Sequence, residues 1–345
     1  MKEYEIWQNL RPLESFDNVK AWFNKIHGRT LSSRRAGEIT CAAKQAREYF
    51  RNAKQADYSV RSLLTFYGVA SLSRSVTLLL NRNNGEEMLT KGHGLEGSKW
   101  SDVLSGEISE TLRNLGKLEV KTCHGLFEDF LKAVQNTTYI HINGSMVDWA
   151  VSYVIPEIGK RISLEELLLR VPDLKQDAKN NYEIKSASVS ELSYNKQDGF
   201  NAKCPSSMPR SLQKAYQIYG YEISEIDKEC ISLSCPADLF CQKTPLFLHC
   251  YIDKMFGSIP QLCIAEPLNC ACEYCEMGIC YLVSYFMGML SRYYPTHWVS
   301  LINGGPGDYL WPIINRAQNY VETVFPELIV ELIHEKLKGE EKRIN

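Results

Sequence analysis

The chain has 345 residues, 44% of them apolar and 23% charged, with 39 Lys plus Arg against 41 Asp plus Glu and a net charge of −2. This is the composition of a globular protein, and it excludes disordered, collagen-like and coiled-coil classes. The balanced charge gives no global basic field to attract nucleic acid, and the one anomalous count is cysteine: twelve, ten of them between Cys204 and Cys280.

The opening Met1-Lys-Glu-Tyr-Glu-Ile-Trp has no basic segment followed by an apolar one, so no signal peptide is expected. The best apolar run, residues 279–290, is shorter than the ~18 residues that suggest a membrane span. A soluble cytoplasmic protein with no membrane partner is the expectation, its cysteines mostly buried thiols in a reducing compartment.

Residues 32–82 read as two helices. Ala43, Ala46, Tyr49, Phe50 and Ala53 recur at spacings of three and four, the pattern of one buried face. Asp57-Tyr58-Ser59 supplies a break and an N-cap, and Val60, Leu63, Leu64, Tyr67, Ala70, Val76, Leu79 and Leu80 form the stripe of the second helix. Two such helices with a tight connection pack as an antiparallel hairpin. A Gly-rich loop is expected over 91–98, a short helix over 108–115, a strand over 118–122 and helices over 126–134 and 163–171, the last stopping before Pro172.

Alternation and β-branched residues then predict strands over 182–194, 214–226, 229–235 and 245–252. Helices return over 274–293, 295–302, 308–321 and 326–338, with a frayed tail over 339–345. The predicted organisation is a helical part over 1–135, a mixed strand-rich insertion over 136–267 and C-terminal helices over 268–345. The fold class is mainly α, a helical bundle with an inserted α+β module.

Several blocks resemble the YaaC-like family of bacterial proteins. They are Ala46-Arg-Glu-Tyr-Phe-Arg-Asn-Ala-Lys-Gln-Ala56, Leu63-Leu-Thr-Phe-Tyr-Gly-Val-Ala-Ser-Leu72, Gly92-His-Gly-Leu95, the Leu-Leu-Leu-Arg-Val-Pro-Asp-Leu run ending at Leu174, and Met287-Gly-Met-Leu-Ser-Arg-Tyr-Tyr-Pro295 with Trp298. They occur in family order from about Arg35 to Pro326. The resemblance implies a bacterial cytosolic protein more than it implies an activity.

The leading hairpin is also similar to the opening of a HEPN domain, a four-helix bundle found in ribonuclease toxins and phage-defence effectors. Such domains typically carry Arg-x(4–6)-His, the Arg steadying the scissile phosphate and the His acting as acid or base on the 2′-hydroxyl. Arg292 and His297 have that spacing, at a junction of two predicted helices, although chance places about one such pair in a chain with this many Arg and His. The resemblance thus implies a metal-independent endoribonuclease needing no cofactor, with Arg292 and His297 as catalytic candidates.

His93, flanked by Gly92 and Gly94, is a third candidate, because accessible backbone amides suit an anion. Lys44, Arg47, Arg51 and Lys54 share one side of the first helix and offer a surface for RNA, the ordinary reading being a solvated helix face. Cys270, Cys272, Cys275 and Cys280 have part of a zinc site's spacing, but they run into an apolar helix where thiols pack as small hydrophobes, so no metal site is assigned. Pro172-Asp173 with Glu183-Ile-Lys185 has the letters of a nuclease core, and a helix stop accounts for it. No Walker loop, dinucleotide fingerprint, zinc-protease or esterase motif is present. The functional expectation is therefore an RNA-cleaving or RNA-binding effector. The alternative is a non-enzymatic scaffold that docks a partner protein, and either could form a homo-oligomer.

Overall fold

The computed structural model describes residues 3–140, 149–179, 181–240, 250–253 and 261–338. The chain is mainly α-helical with small antiparallel sheets. It forms two compact units, one of Met1–Gln135, Glu157–Glu165 and Met277–Asn345, the other of Asn136–Pro156 and Glu166–Glu276.

The first unit opens on two helices that the strand-and-helix patterning did not yield, α1 (Glu3–Leu10) and α2 (Phe16–His27). Val19 and Phe23 anchor α2 in the core, and Gly28 ends it at φ +65, a conformation glycine adopts at little cost. The hairpin follows as α3 (Ser33–Gln55) and α4 (Tyr58–Leu80). Ser32 caps α3 by accepting from the amide of Arg35, and Asp57 caps α4 by accepting from the amide of Ser59 at 2.8 Å. Ala36, Ile39, Ala43, Ala46, Phe50 and Ala53 are buried along α3. Gly68 of α4 lets Phe50 approach so closely that a Cβ there would lie 2.8 Å from the ring.

α4 is the one helix among the described residues long and apolar enough to cross a membrane. The mean hydropathy of its most apolar 18-residue stretch is 1.4, and 72% of that stretch is buried inside the protein. The core of the unit accounts for its apolar character.

A short sheet, β1 (His93–Ser98) against β2 (Glu119–Gly125) with Arg161–Ser163 on the far side of β2, lies next in the chain. It is followed by α5 (Leu126–Ala133). The unit closes with α6 (Glu276–Tyr293), α7 (Pro295–Ile302) and α8 (Trp311–Lys338). From Met277 to Leu290 every residue of α6 is buried, which makes it the central helix of this unit.

Where the patterning expected two helices separated near Pro326, α8 runs through the proline. A mid-helix proline costs about 3 kcal/mol. Val324, Phe325, Leu328 and Ile329 are all buried around it, and burial of side chains of this size contributes about 1.5–3 kcal/mol each. Packing outweighs propensity there.

The second unit contains an antiparallel four-stranded sheet in the order Glu191–Asn195, Gly199–Pro205, Cys230–Cys235, Glu222–Glu225. It also has the sheet Cys250–Asp253, Gln261–Ala265, Ser186–Ser188 and the pair Thr137–Ile140 with Trp149–Ser152. Phe200, Phe240, Tyr216, Leu212 and Leu233 make its core.

The strand expected over 214–226 is instead the end of a helix, Arg210–Ile218, and then the strand Glu222–Glu225. Leu212 and Tyr216 sit one turn apart and both bury. Gly220, at φ +86, turns the chain between the two elements. The strand expected over 182–194 is two strands, and the helix expected over 163–171 shortens to Leu164–Leu168. Most of the strand expected over 245–252 and the frayed tail over 339–345 lie outside the described residues.

Candidate functional site at His93

His93 does not lie in a loop, as the flanking glycines suggested, but at the first position of β1. Its register partner is Gly125, and the pairing shifts between His93 and Leu95. His124-Gly125-Leu126 repeats the tripeptide His93-Gly94-Leu95 and is the facing half of the same irregularity. Gly94 has φ +80 and Gly125 φ +152, and a Cβ on Gly125 would lie 2.3 Å from the amide nitrogen of Gly94. Only glycine permits that approach. The amide of Leu126 then donates to the carbonyl of Gly92, which ties the start of α5 to the site.

The side chains of α6 hold β1 in place. Tyr281 donates to the carbonyl of His93 at 3.0 Å, and Tyr285 donates to the carbonyl of Leu95 at 2.9 Å. The imidazole of His93 meets an aromatic wall, with the rings of Phe66 at 4.9 Å, Tyr67 at 6.2 Å and Tyr285 at 6.3 Å. Burial, then the charges of Arg292 and Arg74, hold its pKa below the ordinary imidazole range. The ring is therefore neutral near pH 7, the state of a proton acceptor.

His93 opens onto a groove of about 570 Å³ formed between α3, α4 and β1. Tyr49 and Tyr67 stack across the hairpin at 5.6 Å and 28° and form one of its walls. Arg74 and Glu86 pair at 2.6 Å at another, and Glu38 and Gln45 contribute acceptors. Arg292, on the exposed last turn of α6, donates to the hydroxyl of Tyr67 at 2.6 Å. Arg292 and His93 therefore belong to one neighbourhood.

His297 does not join them. It sits in α7 beside Tyr294 at 6.1 Å, its backbone contact is Leu104, and its Nε2 is buried with no hydrogen-bond partner among the described residues. Burial lowers its pKa. The five-residue spacing spans the corner at Tyr294 and Pro295, which sends Arg292 and His297 to different surroundings.

On the side of α3, Arg47 pairs with Glu14 at 2.9 Å and with Glu48, and Arg51 also pairs with Glu48. Lys44 is exposed and Lys54 half-buried. Arg47 and Arg51 are thus neutralised by carboxylates. Arg35 donates to the carbonyls of Leu78, Asn81 and Arg82, where a cation complements the C-terminal end of α4. Among the described residues no cluster of His, Cys, Asp and Glu has the arrangement of a metal site.

The chain matches the family model of YaaC-like proteins over residues 12–333. It belongs to the YaaC-like family. No curated protein and no solved structure matches this YaaC-like chain.

In the sequence of this YaaC-like protein Tyr49 and Tyr67 read as members of the buried helical stripes, whereas they line the groove together with Arg74, Glu38 and Glu86, which the sequence reading did not single out. A signal for them existed. Glu38, Cys41, Gln45 and Tyr49 fall on one face of α3, and Tyr67, Ser71 and Arg74 on one face of α4, so each helix has a polar stripe at helical spacing.

Proposed function

We propose that this YaaC-like protein binds single-stranded RNA in the groove at His93 and cleaves it without a metal ion. The observation that carries the reading is a neutral imidazole, held against an aromatic wall and under the influence of two guanidinium groups, opening onto a groove with a stacked tyrosine pair. Aromatic platforms take unpaired bases, each stacked base contributing about 1–3 kcal/mol, and guanidinium forks suit phosphate.

In this reading Tyr49 and Tyr67 receive a base, and Arg292, already fixed on Tyr67, faces the phosphate. The 2′-hydroxyl of the neighbouring nucleotide meets Glu38 and Gln45. His93 takes the proton of the 2′-hydroxyl, the 2′-oxygen attacks phosphorus, and the bond to the 5′-oxygen breaks. The leaving oxygen takes its proton from solvent, and the products are a 2′,3′-cyclic phosphate and a 5′-hydroxyl. A part in phage defence is the biological setting that fits such an activity.

The test is binding and product analysis with a short unstructured RNA and the DNA of the same sequence. Cleavage of the RNA alone is expected. It should be lost in His93→Ala and kept in His297→Ala, while Arg292→Ala weakens binding and reduces its salt dependence. RNA binding without cleavage would leave the non-enzymatic binding alternative, and no binding of either strand would overturn the proposal.

A further inference from the structure

The second unit contains two cysteines whose sulfur atoms meet. The Sγ atoms of Cys270 and Cys272 are 2.8 Å apart, inside the van der Waals separation of two sulfurs, so one thiol donates to the other. The backbone enforces the encounter. Ala271 between them is in the left-handed conformation at φ +54, which a non-glycine residue adopts only when its surroundings require it.

Here they do. The amide of Ala271 donates to the carbonyl of Leu268 at 2.7 Å, and that of Leu268 donates to the carbonyl of Cys272 at 3.2 Å. On one side the carboxylate of Glu166 accepts from the amide of Asn269 at 2.7 Å. On the other, fully buried Asn136 donates to the carbonyl of Glu273 at 2.9 Å and accepts from the amide of Cys275 at 2.7 Å. The turn is pinned at both ends with its two thiols facing each other.

We infer that Cys270 and Cys272 form a redox-active dithiol site that exchanges with low-molecular-weight disulfides. The two residues are unequal in the way such a pair requires. Cys270 is half-buried, and a small thiol reagent can reach it, whereas Cys272 is buried. A hydrogen bond from Cys272 holds the pKa of Cys270 down at about 7, outweighing burial and the nearby charge of Glu166. Cys270 is therefore the attacking thiolate, the reactive form in thiol–disulfide exchange.

Its sulfur attacks one sulfur of the disulfide RSSR, the S–S bond breaks, and one RS⁻ leaves with a mixed disulfide on Cys270. Cys272 then loses its proton and attacks Sγ of Cys270, releasing the second RS⁻. Two protein thiols have been oxidised by two electrons, and RSSR has been reduced to two RSH. The ring so closed spans only three residues, which adds little loop-closure stability, so the bond is readily reversed by excess thiol.

Oxidised glutathione with the full-length reduced protein tests this. Peptide mapping of the wild type should find an intrachain bond between Cys270 and Cys272, with two glutathiones released per chain. Cys272→Ser should stop at a glutathione adduct on Cys270. The pH midpoint for alkylation of Cys270 in the wild type, which needs no variant, should lie at about 7. In the urea-unfolded chain it should return to about 8.5. A stable glutathione adduct on wild-type Cys270, or an equal midpoint in the folded and unfolded chains, would overturn the assignment. The proposal does not depend on the RNA reading, and neither result bears on the other.

Discussion

Replacing Arg61 by Met should destabilise the helical unit. Arg61 of α4 reaches Glu322 of α8, with Nε 2.9 Å from Oε1. The Arg61 side chain is 15% exposed and that of Glu322 only 2%. The same Oε1 accepts from the hydroxyl of Thr65 at 2.7 Å and from Nε2 of Gln318 at 2.6 Å. The hydrogen bond to Glu322 raises the pKa of the guanidinium.

Without Arg61 the carboxylate keeps two neutral donors but loses its counter-charge in a desolvated place. Breaking a buried pair from one side costs about 3–5 kcal/mol. The double variant Arg61→Met with Glu322→Gln removes both charges and leaves an amide that still accepts from Thr65, so its loss should be about 1–2 kcal/mol. Urea unfolding followed by far-UV circular dichroism, run as a double-mutant cycle, measures the coupling. A loss below about 1 kcal/mol in the single variant, or a double variant as unstable as the single one, would refute the reasoning.

Three further outcomes are expected. Gly68→Ala drives a Cβ to 2.8 Å from the Phe50 ring, an overpacking that costs about 1–3 kcal/mol by thermal melting and should be partly relieved by Phe50→Leu. Burial lowers the pKa values of His27, His93 and His297, so below about pH 6.5 the unfolded chain binds protons that the folded chain refuses. Urea midpoints should therefore fall as pH drops through that window, and the fall should be smaller in His27→Gln; an unchanged slope in that variant counts against the assignment. Glu273 behaves in the opposite sense, since burial pushes its carboxyl up to about 7 and its ionised form opposes folding above that value. Glu273→Gln should gain about 1–2 kcal/mol at pH 8, allowing for its partial exposure, and nothing below about pH 4; a loss at pH 8 would contradict it.

The hairpin was legible because its information is local. Spacings of three and four along α3, the Asp57 cap and the apolar stripe of α4 all act within a few turns. The strand at His93 was not, because Gly92 and Gly94 read as a loop until Gly125 is brought opposite from a distant part of the chain. Alternation around residues 214–226 pointed to a strand, whereas the i, i+4 pair Leu212 and Tyr216 decided for a helix by burying both side chains. At the site, the spacing of Arg292 and His297 counted residues without the corner at Pro295. The groove residues Tyr49, Tyr67 and Arg74 become visible only when the faces of two helices are laid against each other.

The strand Arg161–Ser163 has a consequence for how this chain is assembled. It pairs with β2 in the first unit, yet the chain on either side of it, Asn136–Pro156 and Glu166–Glu276, belongs to the second. The polypeptide thus passes between the two units four times, and α6, with its tyrosines on β1, arrives only after the last passage. During synthesis the ribosome must deliver nearly the whole second unit before the core around His93 can close, which places slow, long-range contacts late in folding. For the same reason the insertion is no detachable cassette. Cutting at Gln135 and Met277 would remove a strand from the host sheet, and a clean excision would need two separate joins that leave Glu157–Glu165 behind.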